Sequence, residues 1–182
     1  MIEEKEIVNG CVAGKPYFQK MLYKQYAGMV MSICLRYAKN NEEAEDFLQD
    51  VFVKVFLNLK TFKFNSHLGY WIKRLAINEM VSAMRRKNAT HFAISTDDLQ
   101  HDIADVTVKG DVSVPMDVLL KMVNELPDGY RTVFNMREID GYEFGEIAKI
   151  NGFGEATARS QLYKAKNVLK AKIEKYLSTE IR

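Results

Sequence analysis

Two short runs carry side chains able to act on another molecule. Arg74, Asn78, Ser82 and Arg85 are spaced four, four and three residues apart, so a helix carries them on one face. They lie in WIKRLAINEMVSAMRRK, residues 71–87, where five basic residues meet one acid and most other positions are apolar. Such a stripe, beside an aromatic-rich loop with Phe62, Phe64, Tyr70 and Trp71, suits single-stranded nucleic acid. Cations hold the backbone and rings support unstacked bases. Trp71 taken alone reads first as core packing, whereas an amide at Asn78 within an apolar helix needs a reason.

The second run is EATARSQLYKAKNVLKAKIEKYL, starting at Glu155. Its apolar stripe is Ala158, Leu162, Ala165, Val168 or Leu169, Ala171, Ile173 and Leu177; opposite lie Arg159, Ser160, Tyr163, Lys164 and Lys166. From 159 to 175 there are six basic residues against one acid, Glu174. Upstream, Phe144–Ala148 reads as a short helix and Asn151-Gly152-Phe153-Gly154 as a turn, with Gly152 free to take the left-handed conformation that ends a helix. The order of short helix, glycine turn and basic helix is that of a helix-turn-helix, whose second helix reads the major groove. Arg suits guanine edges, and Ser, Tyr and Lys reach bases or phosphates. A basic face alone would equally be a solvated surface; its pairing with the preceding helix and turn favours DNA.

Catalytic chemistry has no comparable support. The histidines, His67, His91 and His101, stand in no HExxH or Cys–His arrangement, and there is no GxSxG. Cys11 and Cys34 have no metal-ligand spacing and read as small buried apolar groups in a reducing cytoplasm. Gly10–Lys15 resembles a phosphate loop but is one residue short and is followed by Pro16. His101 lies among aspartates, where a solvated acidic linker outweighs a weak metal site. No enzyme activity, catalytic residue, metal or cofactor is expected. The start, MIEEKEIVNG, is too acidic and too weakly apolar for a signal peptide, and the longest apolar run, near Met29–Leu35, falls short of the ~18 residues of a membrane span. A cytoplasmic protein is expected.

The elements that must position these runs are helices. Ten glycines and three prolines in 182 residues argue against a turn-rich all-β chain. Pro16 suits the first turn of a helix to about Lys39, with Phe18, Leu22, Tyr26, Met29, Val30, Ile33 and Tyr37 on its apolar side. Asn40 with Glu43 marks the next start, and that helix buries Phe47, Leu48, Val51, Phe52, Val55, Phe56 and Leu59. A loop, Lys60–Ser66, leads to a helix from about Ser66 to Lys87. Further helices fall near 116–126, 129–140, 143–150 and 155–177. Residues 1–90 hold 14 basic and 9 acidic groups, residues 91–120 one against six, and the rest 11 against 9. The acidic stretch lacks a helical period, so the reading is all-α: a domain over 1–90, a flexible acidic linker over 91–115 and a second domain over 116–182.

In this order the motifs resemble a known family. AEDFLQDVFVKVFLNL, then Phe62 with eight residues between it and WIKRLAIN, then an acidic linker, then LPDGYRTVFNMREIDGYEFGEIA and TARSQLYKAK look like a bacterial RNA polymerase sigma factor of the sigma-70 family, extracytoplasmic-function group, which keeps regions 2 and 4. The resemblance implies an alternative sigma factor that binds core polymerase and reads −10 and −35 promoter elements. It assigns Glu45–Phe56 to docking on the β′ clamp helices, with Asp46, Gln49, Asp50 and Lys54 as polar contacts. It assigns Lys63–His67, with Asn65 and Ser66, to the loop that receives a flipped −10 base. Trp71–Lys87 becomes the −10 helix, with Trp71, Lys73, Arg74, Asn78, Ser82, Arg85 and Arg86 as contacts. Thr157, Arg159, Ser160, Tyr163 and Lys164 become −35 contacts. Implied partners are the core polymerase, with the β flap under region 4, promoter DNA and an anti-sigma factor.

Several positions depart from the family pattern. Ser82 stands where Asp is common, Gly154 replaces a Ser or Thr cap, Ala156 and Ala158 replace Gly and Val, and Asn151 occupies an apolar position. Two alternatives stay open at this level. A polymerase-independent helix-turn-helix regulator would not need the 45–87 constellation. A sigma-like decoy that only sequesters an anti-sigma protein would lose Asn78 and the basic recognition face, and this chain has both.

Overall fold

In the computed structural model, which describes residues 3–87 and 114–180, every regular element is helical. The expected linker, with His91 and His101, lies outside the described residues up to residue 113. The chain divides into two compact units, Met1–Met80 and Val81–Arg182.

The helices of the first part are α1 (Glu4–Val12), α2 (Pro16–Tyr37), α3 (Asn41–Asn58, closed by a 3₁₀ turn over Leu59–Thr61) and α4 (Leu68–Lys87), within which the division between units falls. Their starts follow from local chemistry. Pro16 sits in the first turn of α2, where its missing N–H costs nothing. Asn40 caps α3: the Glu43 N–H donates to its Oδ1 at 2.8 Å, and the Lys39 N–H donates to the Glu43 carboxylate at 2.6 Å. The α4 start is Leu68, two residues later than expected, so the loop before it is longer.

The expected stripes are largely the buried ones. Leu22, Val30, Ile33 and Tyr37 of α2 meet Val51, Phe52 and Val55 of α3 in the core, while Phe18, Tyr26, Met29, Phe47, Leu48 and Phe56 stay half-buried at its edge. The sequence reading missed α1. Ile7, Val8 and Cys11 are its buried side, and Gly10 lets it lie close on α2: a Cβ there would stand 2.2 Å from the Phe18 ring. Gly10–Lys15 is thus a helix end and turn, with Gly14 at φ +70°, and cradles no phosphate. Burial pushes the Cys34 thiol up to about 12 and raises that of Cys11, so both remain protonated at neutral pH and pack as apolar groups.

The second unit contains α5 (Met116–Asn124), α6 (Asp128–Phe134), α7 (Phe144–Asn151) and α8 (Glu155–Glu180). The helix expected to run on to 140 instead widens after Phe134 into a π turn over Asn135–Ile139, closed by the Asp140 N–H donating to the Asn135 carbonyl at 2.9 Å. Gly141 at φ +76° then reverses the chain toward α7. Gly152 ends α7 at φ +79°, as expected, with its N–H on the Ala148 carbonyl at 2.8 Å. The core joins Met122, Val123 and Leu126 to Ala165 and Leu169, with Val168 at its edge, which settles the choice between 168 and 169. Asn151 is buried because its amide folds back, donating to the Ile147 carbonyl at 2.8 Å.

Arg131 ties α6 to the end of α5. It is 2% exposed, and donates from Nη2 to Asp128 Oδ1 at 2.9 Å and from Nη1 to the Asn124 carbonyl at 2.8 Å. A buried cation that loses its carboxylate keeps its desolvation cost without the compensating attraction. Asp128→Ala is expected to cost about 3 kcal/mol in urea unfolding; an unchanged midpoint would mean that the pair contributes nothing.

Candidate nucleic-acid interface

The polar stripe of α4 exists as one surface. Arg74, Asn78 and Arg85 are exposed, Ser82 is half-buried, and Ile72, Ala76, Ile77 and Met80 fill the other side. At roughly 100° per residue, Trp71 falls on the same stripe between Asn78 and Ser82. Lys73 does not join it. Its position turns about 100° away from Arg74 toward the apolar side, and the residue is half-buried. Arg86 is exposed on the opposite flank.

At its N-terminal end the stripe continues into rings. Trp71 is half-buried against Phe62, with centroids 5.6 Å apart, and Phe62 meets the Phe64 ring in a tilted pair at 4.8 Å. Trp71 is therefore neither a pure core residue nor a free one. Phe64 is 43% exposed and holds a left-handed backbone, φ +58°, rare for an aromatic residue. Such strain gathers where a loop must present a side chain in a fixed direction. Asn65 and Ser66 follow it on the exposed loop. An outward ring, two small polar groups and a cationic helix face form a place where an unpaired base can stack and bond.

On α8, the buried set Ala158, Leu162, Ala165 and Leu169 turns Ser160, Tyr163 and Lys164 to the side away from the core. Ser160, Tyr163, Lys164 and Thr157 are half-buried and Arg159 is exposed. Arg159 and Thr157 sit on opposite flanks of the face. The basic count of α8 overstates its field, because acids from other elements answer it. Lys166 pairs with Glu138 of the π turn at 3.1 Å, and Lys172 donates to Glu125 beyond the end of α5. Arg159 pairs with Glu155 at 3.5 Å and lies over the Phe144 ring, 4.2 Å from its centroid. The linear sequence concealed these partners, since only Glu155 is within a turn of its cation.

On α3, Asp46, Gln49, Asp50 and Lys54 are all exposed, and two apolar residues stand among them. Val53 is 55% and Leu57 64% exposed. The expectation named only polar contacts. The signal for the others was Val53 and Leu57, three residues after Asp50 and Lys54 respectively and four from one another, outside the core stripe. Among the described residues no group of His, Cys, Asp and Glu could hold a metal, and no helix is long and apolar enough to cross a membrane.

Comparison with known proteins covers the segments that hold α4 and most of α8. The profile of Sigma-70 region 2 matches residues 22–90, and that of Sigma-70, region 4, matches residues 116–169. The ECF RNA polymerase sigma factor SigW of Bacillus subtilis (strain 168) is 25% identical over 158 residues, 81% of this chain and 84% of that one. The ECF RNA polymerase sigma-E factor of Haemophilus influenzae is 24% identical over 166 residues, 85% and 86% of the two chains. The chain belongs to the sigma-70 family, in its extracytoplasmic-function group. It is an alternative sigma factor, which gives RNA polymerase its promoter specificity. Among solved folds, the sigma factor RpoE from Bartonella quintana, in a co-crystal with the anti-sigma factor NepR, aligns with TM-score 0.55 at 20% identity, covering 85% of this chain and 96% of that one. In this sigma factor α1 and the last turns of α8 extend beyond the two matched regions.

The Lys172 bond, followed by its charge, lowers the pKa of the Glu125 carboxyl from its ordinary value. A depressed carboxyl contributes its stabilisation above its unfolded value and loses it as the pH falls through the folded one. NMR titration is expected to show the Glu125 midpoint rising toward the ordinary range in Lys172→Met; an unmoved midpoint would mean the pair does not persist in solution.

Proposed function

We propose that this sigma factor opens promoter DNA with α4 and the loop before it, and reads the upstream element with α8. The observation that carries the reading is the continuous surface from Arg85 through Asn78 and Trp71 to Phe62 and Phe64. Its cationic end suits the backbone of a separated strand and its aromatic end suits an unstacked base. Melting needs no nucleotide hydrolysis: capture of a flipped base in the Phe64–Ser66 loop offsets the unstacking. Asn78 has its amide on the exposed stripe, available to a base edge. Arg74, Arg85 and Arg86 serve the phosphates, and Lys73, turned toward the apolar side, has a lesser part.

On α8, Ser160, Tyr163, Lys164 and Arg159 face the −35 element, with Thr157 at the margin. The exposed face of α3 docks on the β′ clamp of core polymerase. There Val53 and Leu57 supply apolar contact area, and Asp46, Gln49, Asp50 and Lys54 set the register. The flap of the β subunit holds region 4. The chain acts in the cytoplasm as a regulator without a catalytic step or cofactor of its own, and an anti-sigma factor restrains it, as NepR binds the Bartonella quintana protein.

The direct test is Asn78→Ala at a promoter that the wild-type holoenzyme opens. Core binding is expected to survive while permanganate reactivity of −10 thymines falls about tenfold, the size of a lost bidentate base contact. Footprints of unchanged intensity would remove Asn78 from the melting step.

A further inference from the structure

The two guanidiniums over Phe144 give the upstream-reading helix a support that its own sequence does not contain. Phe144 is the first residue of α7, the helix before the recognition helix. The Arg159 guanidinium carbon lies 4.2 Å from its ring centroid and that of Arg137 lies 4.9 Å away. Arg137 is anchored: it donates to the Tyr142 carbonyl at 3.0 Å and pairs with Glu143 at 2.8 Å. Arg159 is 52% exposed and pairs with Glu155 at 3.5 Å. Gly145 leaves room for that carboxylate, since a Cβ there would stand 3.0 Å from Glu155 Oε1.

We propose that Phe144 is a positioning residue for base reading: its ring holds the Arg159 guanidinium in place before DNA arrives. The inference rests on Arg159 being an upstream-element contact. The chemistry separates the two partners of Arg159. An ion pair with Glu155 occupies N–H donors on the edge of the guanidinium, the same donors that a guanine O6 and N7 would need. That pair must yield when a base is read. Stacking on a ring uses the flat face and leaves the edge free, so the Phe144 contact persists in the bound state. The cost of ordering a long, flexible side chain is then met within the protein, and the contact with the base is correspondingly stronger. Specificity at one base pair of the upstream element therefore depends on an aromatic residue of the neighbouring helix.

The test uses full-length chain with core polymerase on a promoter pool whose upstream element is randomised, scored by sequencing the transcripts. Arg159→Ala is expected to abolish preference at one base pair, by about tenfold. Phe144→Leu should weaken preference at that same pair by roughly two- to fivefold and leave other positions alone, while Phe144→Trp, which keeps a ring, retains it. In the Arg159→Ala background Phe144→Leu should have no further effect. In the free wild-type protein the ring should shift the Arg159 δ-proton NMR signals upfield, a readout independent of how the variants fold. Unshifted signals would overturn the proposal. So would full retention of the preference in Phe144→Leu, or a loss spread evenly over all upstream positions. If Arg159→Ala leaves every preference intact, the underlying reading of Arg159 fails and the proposal with it.

Discussion

Ala158, Leu162, Ala165 and Leu169 lie on one side of α8, and the last two close against Met122, Val123 and Leu126. This one-sided burial fixes the rotation of the helix about its own axis, and everything α8 can offer to DNA follows from it. Two of the four buried residues are alanines with no exposed surface, so neighbouring helices approach closely and little rotational freedom remains. The same constraint acts on α4, where Ile72, Ala76, Ile77 and Met80 turn Arg74, Asn78 and Arg85 outward. In both helices the apolar positions decide which polar residues are presented, and a single-residue change of phase would bury the stripe.

The charge that the chain can offer to DNA is modest. The whole chain carries a net charge of +2, and on α8 the acids Glu155, Glu138 and Glu125 answer three of the cations. Nonspecific affinity grows with the number of phosphates neutralised, so such a chain supplies little of it. For a sigma factor this is suited to the task. Two weak readers mounted on one polymerase reach each other's vicinity at high effective concentration, and their contacts add only when both elements stand at the right spacing. Specificity then resides in the assembled complex.

Much of this was legible in the sequence because single residues carry strong local signals. Pro16, Asn40 with Glu43, and Gly152 each determine a boundary through one steric or hydrogen-bond rule, and each boundary stands where those rules place it. The helix α1 escaped because, beside Gly10, its buried side chains are only Ile7, Val8 and Cys11, too few for a period to emerge beside Glu4 and Glu6. The π turn escaped because one extra residue in a helical turn has no compositional mark. The family resemblance placed Lys73 among the contacts of α4, although helix geometry turns it about 100° away from Arg74. Phe144 and Glu138 act on α8 across the fold, from positions 15 and 28 residues before Arg159 and Lys166, and no spacing rule connects such pairs.

A sigma factor confers promoter specificity on core polymerase, and in this chain that role is proposed for the exposed faces of α4 and α8. The most direct measurement is transcription from a fragmented genomic library with purified core polymerase, with and without the protein. Discrete new start sites that share two upstream elements at constant spacing are expected, with duplex opening confined to the nearer one. An unchanged set of starts, from a preparation in which the chain also fails to co-purify with core, would contradict that role.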